Sequence, residues 1–188
     1  MKTTEVYLVR HAHSIYNSDE YGRGLSEEGR EDQKRLTELM KNIHVDVILS
    51  SPYKRAIQTV EGIAKHINKP VQTIAGFKER ALADGPVENF QSAIESVWSN
   101  EHFSLPGGES NEGARQRGIL ALKEVLHRYK GKRIVIGTHG NLMVLMMSYF
   151  NRSYDVHFWR NLDMPDVYRL TFVGEELMQV DRIWQRQT

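Results

Sequence analysis

Three stretches of this chain end apolar runs in side chains able to hold or attack an anion. Val6–Val9 runs into Arg10-His11. Val45–Leu49 runs into Ser50-Ser51-Pro52, with Arg55 one helical turn further on. Arg133–Gly137 runs into Thr138-His139-Gly140-Asn141. Arginine offers a rigid fork of N–H donors that matches phosphate oxygens and stays charged. Neutral imidazole is a competent nucleophile toward phosphorus. Neighbouring guanidinium charges disfavour imidazolium and keep a lone pair available. A carbonyl accepting from the other ring nitrogen fixes the tautomer. A second imidazole can bond the equatorial oxygens, where transition-state charge is spread. Two arginines and two histidines therefore describe an anion pocket holding a nucleophile, and the ligand that fits it is a phosphoryl group. Helices starting after Ser51 and at Gly140 add N–H groups to the same pocket.

Phosphoryl transfer from an ester also needs an acid for the leaving oxygen. Glu79, in Phe77-Lys78-Glu79-Arg80, is the best placed, just past a further apolar run at Val71–Ile74. A carboxyl group beside a bound phosphate dianion keeps its proton to higher pH, as an acid must.

These residues are far apart in sequence, so a fold must bring them together. Glu5–Arg10, Val45–Leu49, Val71–Ile74 and Arg133–Gly137 read as short buried strands. Ser26 caps a helix with Leu36, Leu39, Met40 and Ile43 on one face. Ser51-Pro52 opens the next helix, with proline at its first position. It carries Ala56, Ile57, Val60, Ile63, Ala64 and Ile67 on one side. Ser110 caps a long helix with Leu122, Val125, Leu126 and Tyr129 inward. Leu142–Phe150 is apolar nearly all round and reads as a buried helix. Val167–Phe172 and Met178–Ile183 flank Gly174 as a late strand pair. This alternation predicts an α/β fold of three layers, α/β/α, with a mostly parallel central sheet. In such sheets ligands bind beyond the carboxyl ends of the strands, which is where the motif residues fall.

A chain of 188 residues makes one domain, 1–188, the expectation. Within it, 83–108 reads as a lid or substrate-specificity segment holding a helix over Phe90–Trp98. Phe90, Trp98 and Phe103 are read first as lid core and second as a pocket for an apolar leaving group. The sequence has no cysteine, which excludes disulfides, thiolate chemistry and cysteine-bound metal clusters. With 25 Lys+Arg against 24 Asp+Glu, the charge of +1 argues against nucleic acid as main partner. The longest wholly apolar run, Leu142–Met147, is far short of a membrane span, and no signal segment leads the chain. The expected setting is the cytoplasm, with no membrane partner.

The motifs together resemble the histidine phosphatase superfamily, also called phosphoglycerate mutase-like. Val9-Arg10-His11 followed by Ser14 and Asn17 is similar to its opening signature. Leu25-Ser26-Glu27-Glu28-Gly29, Ser50-Ser51-Pro52-x-x-Arg55-Ala56-x-Gln58-Thr59, Pro106-Gly107-Gly108-Glu109-Ser110 and Thr138-His139-Gly140-Asn141 follow in the family's order. The resemblance implies that His11 is the phosphorylated nucleophile and Glu79 the proton donor. It implies a phosphate pocket of Arg10, His11, Arg55 and His139, with Asn17 assisting, to which the helix start at Gly140 adds its N–H. Two positions depart from the pattern: Ala12 replaces the usual glycine, and His13 replaces the usual Glu or Gln. Alanine fits if its φ is negative.

The expected activity is a metal-independent phosphomonoester phosphatase with no cofactor, acting on a small-molecule phosphate ester. Alternatives are a mutase-type phosphotransferase and a non-catalytic phospholigand-binding module. A metal-dependent hydrolase using a His11-x-His13 pair is a further one, disfavoured because the arginines would repel a cation. A mutase of this family has a longer loop after the glutamate and a basic tail. Ala81-Leu82-Ala83-Asp84 and the tail Gln185-Arg186-Gln187-Thr188 favour hydrolysis.

Overall fold

The computed structural model describes residues 2–186; Met1 and the tail residues Gln187 and Thr188 lie outside them. Along the chain run β1 (Thr3–Arg10), α1 (Glu27–Met40), β2 (Val47–Ser50), α2 (Lys54–Ile67) and β3 (Val71–Thr73). A 3-10 turn at Ala75–Phe77 follows. Then come α3 (Phe90–Ser99), α4 (Asn111–Arg128), β4 (Arg133–Thr138), α5 (Gly140–Phe150), α6 (Val156–Arg160), β5 (Asp166–Val173) and β6 (Glu176–Arg182).

Successive side chains of a strand leave opposite faces, so a strand that is apolar at every position must be covered on both sides. In β1, Val6 and Leu8 enter one core while Tyr7 and Val9 enter another; in β4, Ile134 and Ile136 part from Val135 in the same way. The first core is closed by Leu122, Val125 and Leu126 of α4 and by Leu142–Met147 of α5. The second is closed by Leu36 and Met40 of α1 and by Val60, Ile63 and Ala64 of α2. The result is the three-layer arrangement expected from the sequence.

The six strands lie in the order β3-β2-β4-β1-β5-β6. β3, β2, β4 and β1 are parallel to one another. β5 is antiparallel to β1 and β6 is antiparallel to β5, so the sheet is mixed. Gly174, at φ 61°, makes the tight turn between those two. Register matters most at the other end. Arg10 pairs with Thr138, and Ser50 pairs with Gly137. The three strands that carry motif residues are adjacent and end level.

Several local expectations change. The helix after Pro52 starts only at Lys54, with Tyr53 as its cap. The Ser51 hydroxyl accepts the Tyr53 N–H at 3.2 Å, closing a turn that delays the first helical residue. α1 stops at Met40, so Ile43 lies beyond it and Leu39 stays 37% exposed. α6 was not anticipated, although its cap is ordinary: Asp155 accepts from the N–H groups of His157 and Phe158. Among the described residues no helix is long and apolar enough to cross a membrane.

Candidate active site

His11 is the first residue past β1. Its N–H donates to the Thr138 carbonyl at 3.1 Å, extending the parallel ladder by one step. The next N–H, from Ala12, goes to Thr59 Oγ1 at 3.0 Å, and that hydroxyl donates to the Arg55 carbonyl. The end of β1 is thereby tied both to β4 and to the first turns of α2. Asn68 is the only non-glycine residue with positive φ among those described, so Ala12 takes the glycine position of the family without strain.

The His11 ring is buried and oriented. Nδ1 lies 2.7 Å from the Ala12 carbonyl oxygen, which can only accept, so Nδ1 carries the proton and Nε2 keeps its lone pair. Arg55 Nε donates to that Nε2 at 3.4 Å, a long contact. Burial, with the charges of Arg55, Arg10 and Arg23, lowers the His11 pKa to about 3, against the Ala12 hydrogen bond that raises it. The ring is neutral at physiological pH. His139 packs edge-on against it with ring centroids 5.3 Å apart. Burial first, then His11 and the arginines, hold His139 well below the usual histidine range. Its Nε2 is 2.8 Å from Ser51 Oγ. Its other ring nitrogen, Nδ1, is buried with no hydrogen-bond partner within the protein.

Arg10 and Arg55 both bring their charge to bear on His11. Arg10 Nη1 donates to the Asp163 carbonyl at 3.2 Å. Burial pushes the pKa of both arginines down, with Glu79 opposing the shift at each. Among the described residues, six buried side-chain nitrogens have no hydrogen-bond partner; Arg80 Nε, Trp159 Nε1 and Trp184 Nε1 are three, and Arg10 Nε, Arg23 Nε and His139 Nδ1 are the others. Buried nitrogens are normally satisfied; the last three belong to the residues whose charges or ring act on His11, which suits a place that takes an anion.

Glu79 follows the 3-10 turn and reaches the N-terminus of α5. Its carboxylate accepts from Asn141 N at 3.1 Å, Leu142 N at 2.9 Å and Arg80 N at 2.9 Å, with Asn141 Nδ2 at 3.4 Å. Two of the N–H groups at the start of α5, those of Asn141 and Leu142, are thus engaged by Glu79. At α2 the Lys54 N–H is likewise taken, by the Tyr21 carbonyl. Trp98 of α3 donates to Asn141 Oδ1 at 3.2 Å, so the 83–108 segment abuts this corner. Trp98 packs on the core as lid core should, but Phe90 is 57% exposed and Phe103 38%.

Asn17 is exposed, and its Oδ1 accepts the Asp19 N–H at 2.8 Å, which shapes a turn in the loop. His13 is exposed too; its Nδ1 bonds Ser26 Oγ at 2.7 Å while its carbonyl accepts from the Ser26 N–H, fastening the loop to the cap of α1. His11 and His13 therefore serve different partners, and among the described residues no three His, Asp or Glu side chains gather into a metal-ligating group.

Sequence reasoning missed Arg23, whose charge acts on both histidines, and Tyr53, whose ring lies 5.1 Å from that of His139. It also missed why residue 140 is glycine. A Cβ there would sit 2.8 Å from Arg10 Nε and 2.9 Å from its Cζ. Gly140→Ala is expected to push the guanidinium aside and lower kcat/KM about a hundredfold, the usual effect of losing one preorganised donor. The melting temperature should hardly move, because a side-chain end yields rather than backbone. A kcat/KM within about twofold of wild type would place Arg10 outside the pocket.

Comparison with known proteins bears on the same residues. A family model described as the histidine phosphatase superfamily (branch 1) matches residues 6–181. A phosphoglycerate mutase-like protein 4 of Arabidopsis thaliana is 31% identical over 155 residues, covering 74% of this chain and 67% of that protein. A metal-independent phosphoserine phosphatase of Arabidopsis thaliana is 28% identical over 158 residues, covering 76% and 66%. The solved structure of a mycobacterial glucosyl-3-phosphoglycerate phosphatase shares the fold, with a TM-score of 0.77 over 96% of this chain and 97% of that one at 17% identity. The family match runs from within β1 to within β6 and takes in every strand end that carries a motif residue. The chain belongs to the histidine phosphatase superfamily.

Proposed function

We propose that the protein is a metal-independent phosphomonoester phosphatase of the cytoplasm, acting on a small-molecule phosphate ester through a phosphohistidine on His11. One observation carries this reading: a buried imidazole, neutral, with Nδ1 pinned to a carbonyl and Nε2 turned toward an arginine. That is the form of histidine that attacks phosphorus. The phosphatases among the relatives support hydrolysis over mere binding.

In the first half-reaction the Nε2 lone pair forms the N–P bond as the P–O bond to the leaving group breaks. Glu79 acts as the general acid and delivers a proton to that oxygen. Arg10, Arg55 and His139 stabilise the equatorial oxygens, and Arg23 adds its charge. In the second half the Glu79 carboxylate takes a proton from water. The water oxygen bonds to phosphorus, and the N–P electron pair returns to Nε2. No step calls on a cofactor, a nucleic acid or a membrane surface.

The test is phosphate release from a panel of sugar phosphates, nucleotides, phosphoserine, phosphoglycerates and an aryl phosphate, with and without chelator. Release from several esters, unchanged by chelator, is the expected result. Binding of phosphate without release would leave a phospholigand-binding module. Primer-dependent conversion of 3-phosphoglycerate to 2-phosphoglycerate with little release would mean a mutase. Loss on chelation would restore a metal-dependent hydrolase.

A further inference from the structure

The guanidinium of Arg55 already carries an anion. Its side chain is 1% exposed, and Nη2 forms an ion pair with Glu20 Oε2 at 3.0 Å. Nη1 donates to the Glu20 main-chain carbonyl at 2.7 Å. The other carboxylate oxygen, Oε1, pairs with Arg23 Nη2 at 3.5 Å. One carboxylate thus bridges two arginines of the pocket.

The edge of Arg55 that it uses is the important one. In a guanidinium the Nε–H and one terminal N–H point the same way and form a side-on fork, the geometry that grips carboxylate and phosphate alike. Here Nε faces His11 Nε2 at 3.4 Å and Nη2 faces Glu20. A phosphoryl group approaching His11 Nε2 meets this same fork. Dianion and carboxylate compete for one set of donors.

The backbone lets the carboxylate leave alone. Residues 19–23 form a tight turn in which the Asp19 carboxylate accepts the Gly22 N–H at 2.9 Å and its carbonyl accepts the Arg23 N–H at 2.9 Å. The Tyr21 carbonyl accepts the Lys54 N–H at 2.9 Å, holding the turn on the start of α2. Only the Glu20 side chain reaches into the fork, and it is 49% exposed. It can swing into water while its carbonyl stays on Arg55. Without an anion, the buried Arg55 charge would be unpaired, which is costly; Glu20 removes that cost at the expense of substrate affinity.

We propose that the Glu20 carboxylate is a built-in competitor of the substrate phosphoryl group, seated on Arg55 Nη2 and Arg23 Nη2 and displaced when the ester binds. It is an affinity-setting residue that takes no part in the transfer. The inference rests on the phosphatase reading only in taking this pocket as the phosphate site. If the carboxylate holds the fork in about nine molecules of ten, apparent phosphate affinity is reduced about tenfold.

The experiment measures binding of inorganic phosphate by calorimetry, which needs no turnover, in wild type and in Glu20→Gln, Glu20→Ala and Glu20→Asp, with melting temperatures to confirm folding. Expected is tighter binding, about tenfold, in all three variants. Asp keeps the charge but is one methylene too short to bridge the arginines. Tightening in Gln and Ala while Asp stays at the wild-type value would mean diffuse repulsion and overturn direct displacement. Unchanged or weaker binding in folded variants would make Glu20 a support for Arg55 and overturn the inference while leaving the phosphate site standing. Failure of wild type and all variants to bind phosphate would overturn the site and the inference together.

Discussion

His11→Ala is expected to remove phosphate release by about four tenfold steps or more, each worth about 1.4 kcal/mol of barrier. The electrostatics left behind cannot form the N–P bond. Arg10, Arg23, Arg55 and His139 keep their places, so inorganic phosphate should still inhibit any residual activity and still bind within about tenfold of wild type. Loss of turnover with retained binding separates missing chemistry from a collapsed pocket. Phosphate release within about tenfold of wild type would sink the nucleophile assignment.

The same variant has a second readout, in stability against pH. The folded His11 pKa is lowered to about 3, whereas an unfolded histidine titrates near about 6.5. Between those values the unfolded chain binds a proton that the folded chain refuses, so stability falls as pH falls. The contribution is complete above about pH 6.5 and declines toward about pH 3. His139 acts in the same direction. Wild type should therefore melt at lower temperature at about pH 5 than at about pH 7, and His11→Ala should lose less over that interval. Identical slopes would show that His11 is not held neutral by the fold.

What the sequence disclosed follows from how buried parallel strands are written. A strand covered on both faces must be apolar throughout, so its carboxyl end shows as an abrupt change to polar residues. Arg10-His11, Ser50-Ser51 and Thr138-His139 are such changes, and the register that levels them is a consequence of adjacent pairing. Glu79 was legible by position past β3, but not its hold on the N-terminus of α5. That depends on where a helix end meets a loop from another strand. The loop at 14–24 was opaque. Arg23 and Glu20 lie in no periodic segment, and only the Asp19 turn and the Ser14–Leu25 bridge fold them back onto the site. Asn17 shows the converse: a motif position whose side chain the structure engages in a local turn.

Glu79→Gln is expected to slow hydrolysis of alkyl phosphates by about a hundredfold to ten-thousandfold, the range for losing a general acid, and of nitrophenyl phosphate by less than about tenfold. An alkoxide cannot leave without a proton, whereas nitrophenolate can. The absolute loss alone would mislead. Both Glu79 oxygens accept main-chain N–H groups from Asn141, Leu142 and Arg80, and a glutamine amide nitrogen has no lone pair to offer them. Some reorganisation at the start of α5 should therefore slow every substrate equally, and His139 and Gly140 lie at that same start. A shared factor cancels in the ratio of the two substrates, while the acid's contribution does not. The measurement is kcat/KM for one alkyl and one nitrophenyl ester in wild type and variant, each at saturating pH control so that only the leaving group differs. A ratio that shifts by less than about threefold would assign Glu79 to fastening the helix end, and the proton would have to come from elsewhere in the pocket.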